Sequence, residues 1–341
     1  MEQGIGYFYG HDFHSINKRR GVAMMRASCE TGCKTAEAYR SLFLKQSSQE
    51  EQKKCFLILK NLADREPPYH YAQCFVGMCY EHGKGVAKNE TKVVEWYNKA
   101  SRNGSAISSI RLGTYYEEGK CGLTQSNNIA SNFYEASANT GHCLARLRSA
   151  ELLMSCPSLL DFNKALELFT SSANQNFVDA QYQLGLLHMD GSKDNEILPI
   201  NEQGVIVTTP MTIPINKELG FQWLSTAAKQ GHAVAQYEVG MSYRMGEGTD
   251  KNLKLAFEWW MKAAQQGDME AEYQIGDGYH FGDTNISVDL DLALTWYQKA
   301  AAQGHDRATY RVQNWETYVM YDEGHVEEEA EEEEDASDDV L

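Results

Sequence analysis

AQYEVGMSYRMGEG at residues 235–248, followed by LAFEWWMKAAQQG at 255–267, is the stretch that decides the fold. In the first segment Ala235, Val239 and Tyr243 recur at i, i+4 and i+8, the spacing that puts side chains on one face of an α-helix. Gly246 and Gly248 then interrupt it. The second segment also reads as a helix, closed by Gly267, which enters the left-handed region without a Cβ penalty. The Ala263-Ala264 pair ahead of it lets a neighbouring helix approach closely. The unit is therefore helix, glycine-rich turn, helix.

Working outward, the first phrase recurs at 72–85, 109–119, 180–191 and 271–282, with a weaker copy, ARLRSAELLMS, at 145–155. Its aligned small residues are Gly77, Gly113, Ala150, Gly185, Gly240 and Gly276, separated by 36, 37, 35, 55 and 36 residues. The second phrase recurs at 92–104, 164–176, 219–231 and 292–304. A unit of about 36 residues repeated in this way predicts an all-α solenoid of stacked helix pairs, and the 55-residue interval is one repeat plus an insertion.

These residues resemble the Sel-1-like repeat family, relatives of the tetratricopeptide repeats, whose pattern is Ala-x-x-x-Leu-Gly-x-x-Tyr-x-x-Gly-x-Gly followed by Lys-Ala-x-x-Trp-Tyr-x-x-Ala-Ala-x-x-Gly. The match is close over 235–304, weakens where Ala150 replaces glycine, and is faint over 36–66, where Ala38, Leu42 and Phe43 echo a first helix and Cys55 to Ala63 a second. The resemblance implies a right-handed superhelix of α-hairpins and an adaptor or scaffold role. Some fungal relatives activate cell-wall synthases, other relatives work in luminal quality control, and cysteine-rich bacterial relatives have been linked to β-lactam binding. This chain has neither a C-terminal prenylation cysteine, nor a visible signal sequence, nor regularly spaced cysteines.

The expected organisation is degenerate helical repeats over 1–69, the solenoid over 70–321, and an acidic tail over 322–341. The segment 192–214, with its β-branched run and three prolines, cannot be helical and is expected to loop outward or lie across the surface. Twelve of the last twenty residues are Asp or Glu and none is Lys or Arg, so the tail should be self-repelling and disordered. Removing it from the formal charge of −17 leaves about −5 for the body. No basic stripe suited to a phosphate backbone remains, and no apolar run is long enough to cross a bilayer. Nucleic acid and membrane insertion are thus not expected, and the N-terminus without a leader pattern points to the cytoplasm or nucleus.

Catalytic patterns do not assemble. Gly83-Lys84-Gly85 and Gly246-Glu247-Gly248 follow helices and lack the third glycine or the Gly-Lys-Ser/Thr ending of nucleotide loops, so they read as turns. Cys29 and Cys33 lack a companion pair at zinc spacing, and His11-Asp12-Phe13-His14 lacks a nucleophile elbow. The eight cysteines are expected to be reduced, and His142, His232 and His305, each just after a helix-ending glycine, to be structural. Sequons at Asn89, Asn103 and Asn285 are near chance frequency for this length.

One surface stands out. Tyr237, Met241 and Arg244 form a stripe opposite Ala235, Val239 and Tyr243, and the equivalent positions hold Tyr182, Tyr273, Asp277, His280 and Tyr310. By analogy with tetratricopeptide repeats this stripe lines the concave side. A row of tyrosines there is either a recognition surface or packing between successive first helices. The reading carried forward is a non-catalytic adaptor or scaffold without metal or cofactor, taking a protein or peptide partner and no small-molecule substrate. Its candidate contacts are Tyr182, Tyr237, Met241, Arg244, Tyr273, His280 and Tyr310. The alternatives are a regulatory subunit or activator of an enzyme complex and a quality-control component.

Overall fold

The computed structural model describes residues 34–44, 47–67, 69–156, 161–191, 214–282 and 286–317. The expectations for 192–213, for the tail, for Cys29 and Cys33 and for His11 to His14 lie outside these residues. Among the described residues the chain is a succession of helices. In chain order they are α1 (Lys34–Tyr39), continued by a π turn over Arg40–Leu44, α2 (Gln49–Ala63), α3 (His70–His82), α4 (Glu90–Arg102) and α5 (Ala106–Glu118). Next come α6 (Asn127–Ala138), α7 (Cys143–Ser155), α8 (Phe162–Asn174), α9 (Val178–Asp190) and α10 (Lys217–Lys229). The last are α11 (Ala233–Met245), α12 (Leu253–Ala264), α13 (Met269–Phe281), α14 (Leu290–Ala302) and α15 (Asp306–Gln313).

Each second helix begins at a capping side chain that accepts the amide of the third residue on: Asn89 for α4, Ser126 for α6, Asp161 for α8, Asn216 for α10, Asn252 for α12 and Asp289 for α14. The amide of the same capping residue donates back to a carbonyl in the last turn of the first helix, as from Asn89 to Tyr80, Asn252 to Tyr243 and Asp289 to Tyr279, at 2.8–3.2 Å. One residue thus starts a helix and pins it to the preceding one. Gln73, Gln181 and Gln236, each beside the alanine of the first phrase, send Nε2 to the carbonyls of Ala63, Ala173 and Ala228 and satisfy helix C-termini.

The glycine at the centre of the first phrase has a packing reason. A Cβ on Gly77, Gly113 or Gly276 would lie 2.5–2.8 Å from the ring of Tyr97, Tyr134 or Tyr297 on the following helix. On Gly240 it would lie 2.3 Å from Trp260 Nε1. The second-helix ring lies flat on first-helix backbone, so the pair closes more tightly than any side chain would allow.

The chain divides into two compact units, with the boundary falling between Gln183 and Leu184 inside α9. The first has a core of Tyr39, Leu42, Leu59, Phe75, Met78, Tyr97 and Leu112, continued by a cluster around Tyr134, Ala145 and Leu152. The α1–α2 pair belongs to that core. The second unit is built on two clusters, Ala256–Trp260–Ala263–Ile275 and Tyr273–Ala293–Tyr297–Ala300–Ala308.

Candidate functional site

The predicted stripe divides into groups with different roles. In α11 Ala235 and Val239 are fully buried, whereas Tyr237 and Met241 are half-buried and Arg244 is exposed. Met241 rests on the Ala256–Trp260 cluster. Tyr237 is held at its carbonyl by Trp260 Nε1 at 3.3 Å. Burial, reinforced by the carboxylates of Glu270, Glu238 and Asp268, pushes its phenol up to about 12. Arg244 reaches to Gln274 on α13 and lies 5.9 Å from the centre of the Trp260 ring. Tyr243 packs edge-on against Phe221 of the preceding second helix, at 5.3 Å, in addition to its own repeat.

The same positions on α13 are used internally. Tyr273 is 6% exposed, stacks on His305 at 4.5 Å, and accepts from Arg311 Nε at 3.1 Å. His280 is 3% exposed, lies against Phe281 and Trp315, and has Arg311 Nη1 3.2 Å from Nδ1. For Tyr273 and His280 the structure therefore supports the packing alternative. Tyr310 on α15 is 58% exposed, and Tyr182 on α9 is half-buried.

The reason the rows differ is a hydroxyl. Tyr97, Tyr134 and Tyr297 donate to Glu81, Glu117 and Asp277 at 2.5–2.6 Å, because a buried phenol needs a partner. Desolvation pushes all three phenols up, so they remain neutral donors. Arginines from the next first helix complete two of these sets, Arg111 3.9 Å from Glu81 and Arg311 3.4 Å from Asp277. Where the ring position is Trp260 or Leu224, the matching first helices carry Met241 and Arg244, or Leu186 and Met189, with no carboxylate. Tyrosine and acid thus occur together in three pairs, whereas in α7–α8 the ring position holds Phe169 and the carboxylate of Glu151 pairs with Arg148 instead, 3.0 Å away.

The histidines behave as expected at two sites: His232 and His305 accept the amides of Ala235 and Ala308 through Nδ1 at 3.0 and 3.1 Å. His142 makes no such bond; its Nδ1 is buried without a partner, and desolvation lowers its pKa to about 4. Cys55, Cys74, Cys79, Cys121 and Cys143 are free thiols, and burial pushes Cys74 up to about 11 and Cys79 higher still, away from thiolate chemistry. Among the described residues no group of His, Cys, Asp or Glu is arranged to hold a metal ion, and no helix is long and apolar enough to cross a membrane.

Comparison with known proteins agrees with this architecture. The family model described as Sel1 repeat matches residues 70–105, 106–142, 156–177, 178–197, 210–232, 233–268 and 270–305, more than half of the chain. It passes over α7, where Ala150 stands for glycine. A sel1-like repeat-containing protein of Acanthamoeba polyphaga mimivirus is 29% identical over 120 residues, 35% of this chain and 21% of that protein. The DAP3-binding cell death enhancer 1 of Rattus norvegicus is 29% identical over 102 residues, 29% of this chain and 19% of that protein. The matched region thus spans about a fifth of the length of these curated relatives. Among solved structures, a protective antigen of uropathogenic Escherichia coli displaying an SLR fold superposes with a TM-score of 0.63 at 22% identity, covering 91% of this chain and 62% of the antigen. A Sel1 repeat protein of Oxalobacter formigenes gives 0.58 at 20% identity, covering 74% and 92%. Together with the helix pairs, these likenesses make the chain an all-α repeat solenoid.

Proposed function

This chain belongs to the Sel1 repeat family, and from that premise we propose that it is a non-catalytic adaptor whose second unit binds a protein partner through the α11 stripe of Tyr237, Met241 and Arg244. Sel1 repeat proteins generally mediate protein–protein interaction. The rat relative is named for binding another protein, which supports a protein partner here.

The observation that carries the reading is the contrast between α11 and α13. On α13 the outward positions are consumed by Tyr297, His305 and Arg311. On α11 a phenol, a thioether and a guanidinium stay at the surface, supported from below by Trp260. A rigid aromatic group, an adaptable apolar group and a charged fork is the composition of an interface hot spot. Tyr310 on α15 extends the accessible set in the same unit, and Tyr182 is a separate candidate in the first.

The test is affinity capture from native extract with the parent chain and with a Tyr237→Ala/Arg244→Ala variant, followed by affinity measurement on the recovered partner. Loss of the same partner by the variant, with its melting temperature retained, is the expected outcome. Equal capture by parent and variant contradicts the assignment.

A further inference from the structure

Each first helix of the second unit sends side chains back to the first helix before it, and these set the charge around the tyrosine there. From α15, Arg311 reaches Tyr273 on α13. Its Nε donates to the phenol oxygen at 3.1 Å, its guanidinium carbon lies 5.8 Å from the ring centre, and its Nη2 is 3.4 Å from Asp277. Arg307, one turn earlier on α15, is exposed and lines a cavity beside the same ring. The chain thus supplies Tyr273 with its own cation. The first unit has a related arrangement, with Arg111 of α5 3.9 Å from Glu81 of α3.

Tyr237 receives the opposite charge. Counted from Ala271 instead of Ala308, the places of Arg307 and Arg311 are held on α13 by Glu270 and Gln274. Beyond burial, the groups that bear on the Tyr237 phenol are Glu270, Glu238 and Asp268, in that order, and only then Arg244. Arg244 is drawn toward Gln274 and the Trp260 ring. Among the described residues neither Glu270 nor Asp268 forms an ion pair with a lysine or arginine. Glu270, 47% exposed, meets His305 Nε2 at 3.3 Å, and His305 accepts the Ala308 amide through Nδ1, so the imidazole donates to Glu270 as a neutral ring. The carboxylate keeps acceptor capacity beyond that one contact.

We propose that the cation Tyr237 lacks is brought by the partner: a basic side chain seats against the Tyr237 ring beside Glu238 and Glu270, as Arg311 seats against Tyr273. This rests on the reading of the α11 stripe as the binding face and adds the chemistry of what binds there. Arginine fits better than lysine, because its guanidinium is weakly hydrated, stacks on aromatic faces and offers a fork of donors to carboxylates. Arg244 lies seven residues further along α11, about 10 Å of helix, with Met241 between. The charge of the stripe therefore reverses along its length. The segment that complements it is basic at the Tyr237 end, apolar over Met241 and acidic at the Arg244 end.

The probes are acetyl-arginine amide and its uncharged isostere acetyl-citrulline amide, titrated into the full chain labelled at methionine methyl groups, with the Met241 signal identified through Met241→Leu. The arginine probe should shift the Met241 methyl saturably and bind at least tenfold more tightly than the citrulline probe. Glu270→Gln, at an exposed site, should weaken the arginine probe several-fold. Gln274→Arg installs the arrangement found at Arg311 and should weaken it at least tenfold with the melting temperature retained. Equal binding of the two probes, arginine shifts that spare Met241, or undiminished binding by folded Glu270→Gln would each overturn the proposal. The recovered partner separates this inference from the reading beneath it. If Tyr237→Ala/Arg244→Ala loses the partner while Glu270→Gln and Gln274→Arg bind it as the parent does, the stripe stands and the cation seat falls.

Discussion

The α11–α12 and α13–α14 pairs sit side by side in one unit and are written in nearly the same phrase, AQYEVGMSYRMGEG against AEYQIGDGYHFG, yet they finish with opposite surfaces. The first closes its turn through Gly248 and leaves Tyr237 and Arg244 outside. The second buries Tyr273 and His280. A few substitutions account for the difference. Tyr297 in place of Trp260 demands Asp277 in place of Met241, and Asp277 brings in Arg311. The capping residue of the next first helix is His305 over Tyr273 but Asp268 beyond Tyr237, and only the imidazole supplies a ring to stack on. Repeat proteins are often described as sums of equivalent units. Here neighbouring units share a backbone plan while each assigns its faces separately.

The comparison can be broken at several points. The largest effect should come from Tyr273→Ala, which removes a buried ring and lowers stability by about 3–5 kcal/mol. Tyr237→Ala, at a half-buried site, should cost about 1 kcal/mol, near the centre of the range for single substitutions. Urea unfolding of the two variants measures the gap, and equal losses would erase the distinction between the rows.

Gly248→Ala comes next, because a Cβ there meets the Lys217 carbonyl and the backbone is at positive φ. A loss of about 2 kcal/mol on urea unfolding is expected by analogy with overpacked sites.

Tyr297→Phe should cost about 1–2 kcal/mol, since it strips Asp277 of its phenol donor while leaving Arg311 in place. Tyr97→Phe should behave alike, whereas a Trp260→Phe variant has no carboxylate to strand and should lose only ring volume and the indole donor to the Tyr237 carbonyl. Chemical denaturation of the three variants separates hydroxyl from ring.

The smallest change is His305→Asp, copying the cap found at Asp268. It keeps a capping acceptor but removes the stacked ring, for a loss of about 1 kcal/mol. It should also make Tyr273 accessible to tyrosine-specific labelling, read by mass spectrometry, to the degree that Tyr237 already is. A Tyr273 that stays protected would show that its burial does not depend on the imidazole.

Much of the architecture was legible because it is written locally. The helix period, the glycine that receives a ring, and the Asn, Asp or Ser ahead of each second helix all lie within one repeat. The stripe was also legible as a face, since Tyr237, Met241 and Arg244 fall on one side of a wheel. What periodicity could not settle was which tyrosines remain outside. That depends on partners one repeat away, His305 for Tyr273 and the Trp260 or Tyr297 choice for the residues beside them.

The central claim is that one repeat displays what its neighbour buries, and the most direct test is paired measurement of partner affinity and thermal stability for Tyr237→Ala/Arg244→Ala beside Tyr273→Phe. The double variant should bind the captured partner at least about thirtyfold more weakly, the equivalent of about 2 kcal/mol, while melting close to the parent. Tyr273→Phe should bind as the parent does. A double variant that keeps parental affinity while folded, or a Tyr273→Phe chain that loses the partner at unchanged stability, would contradict the account.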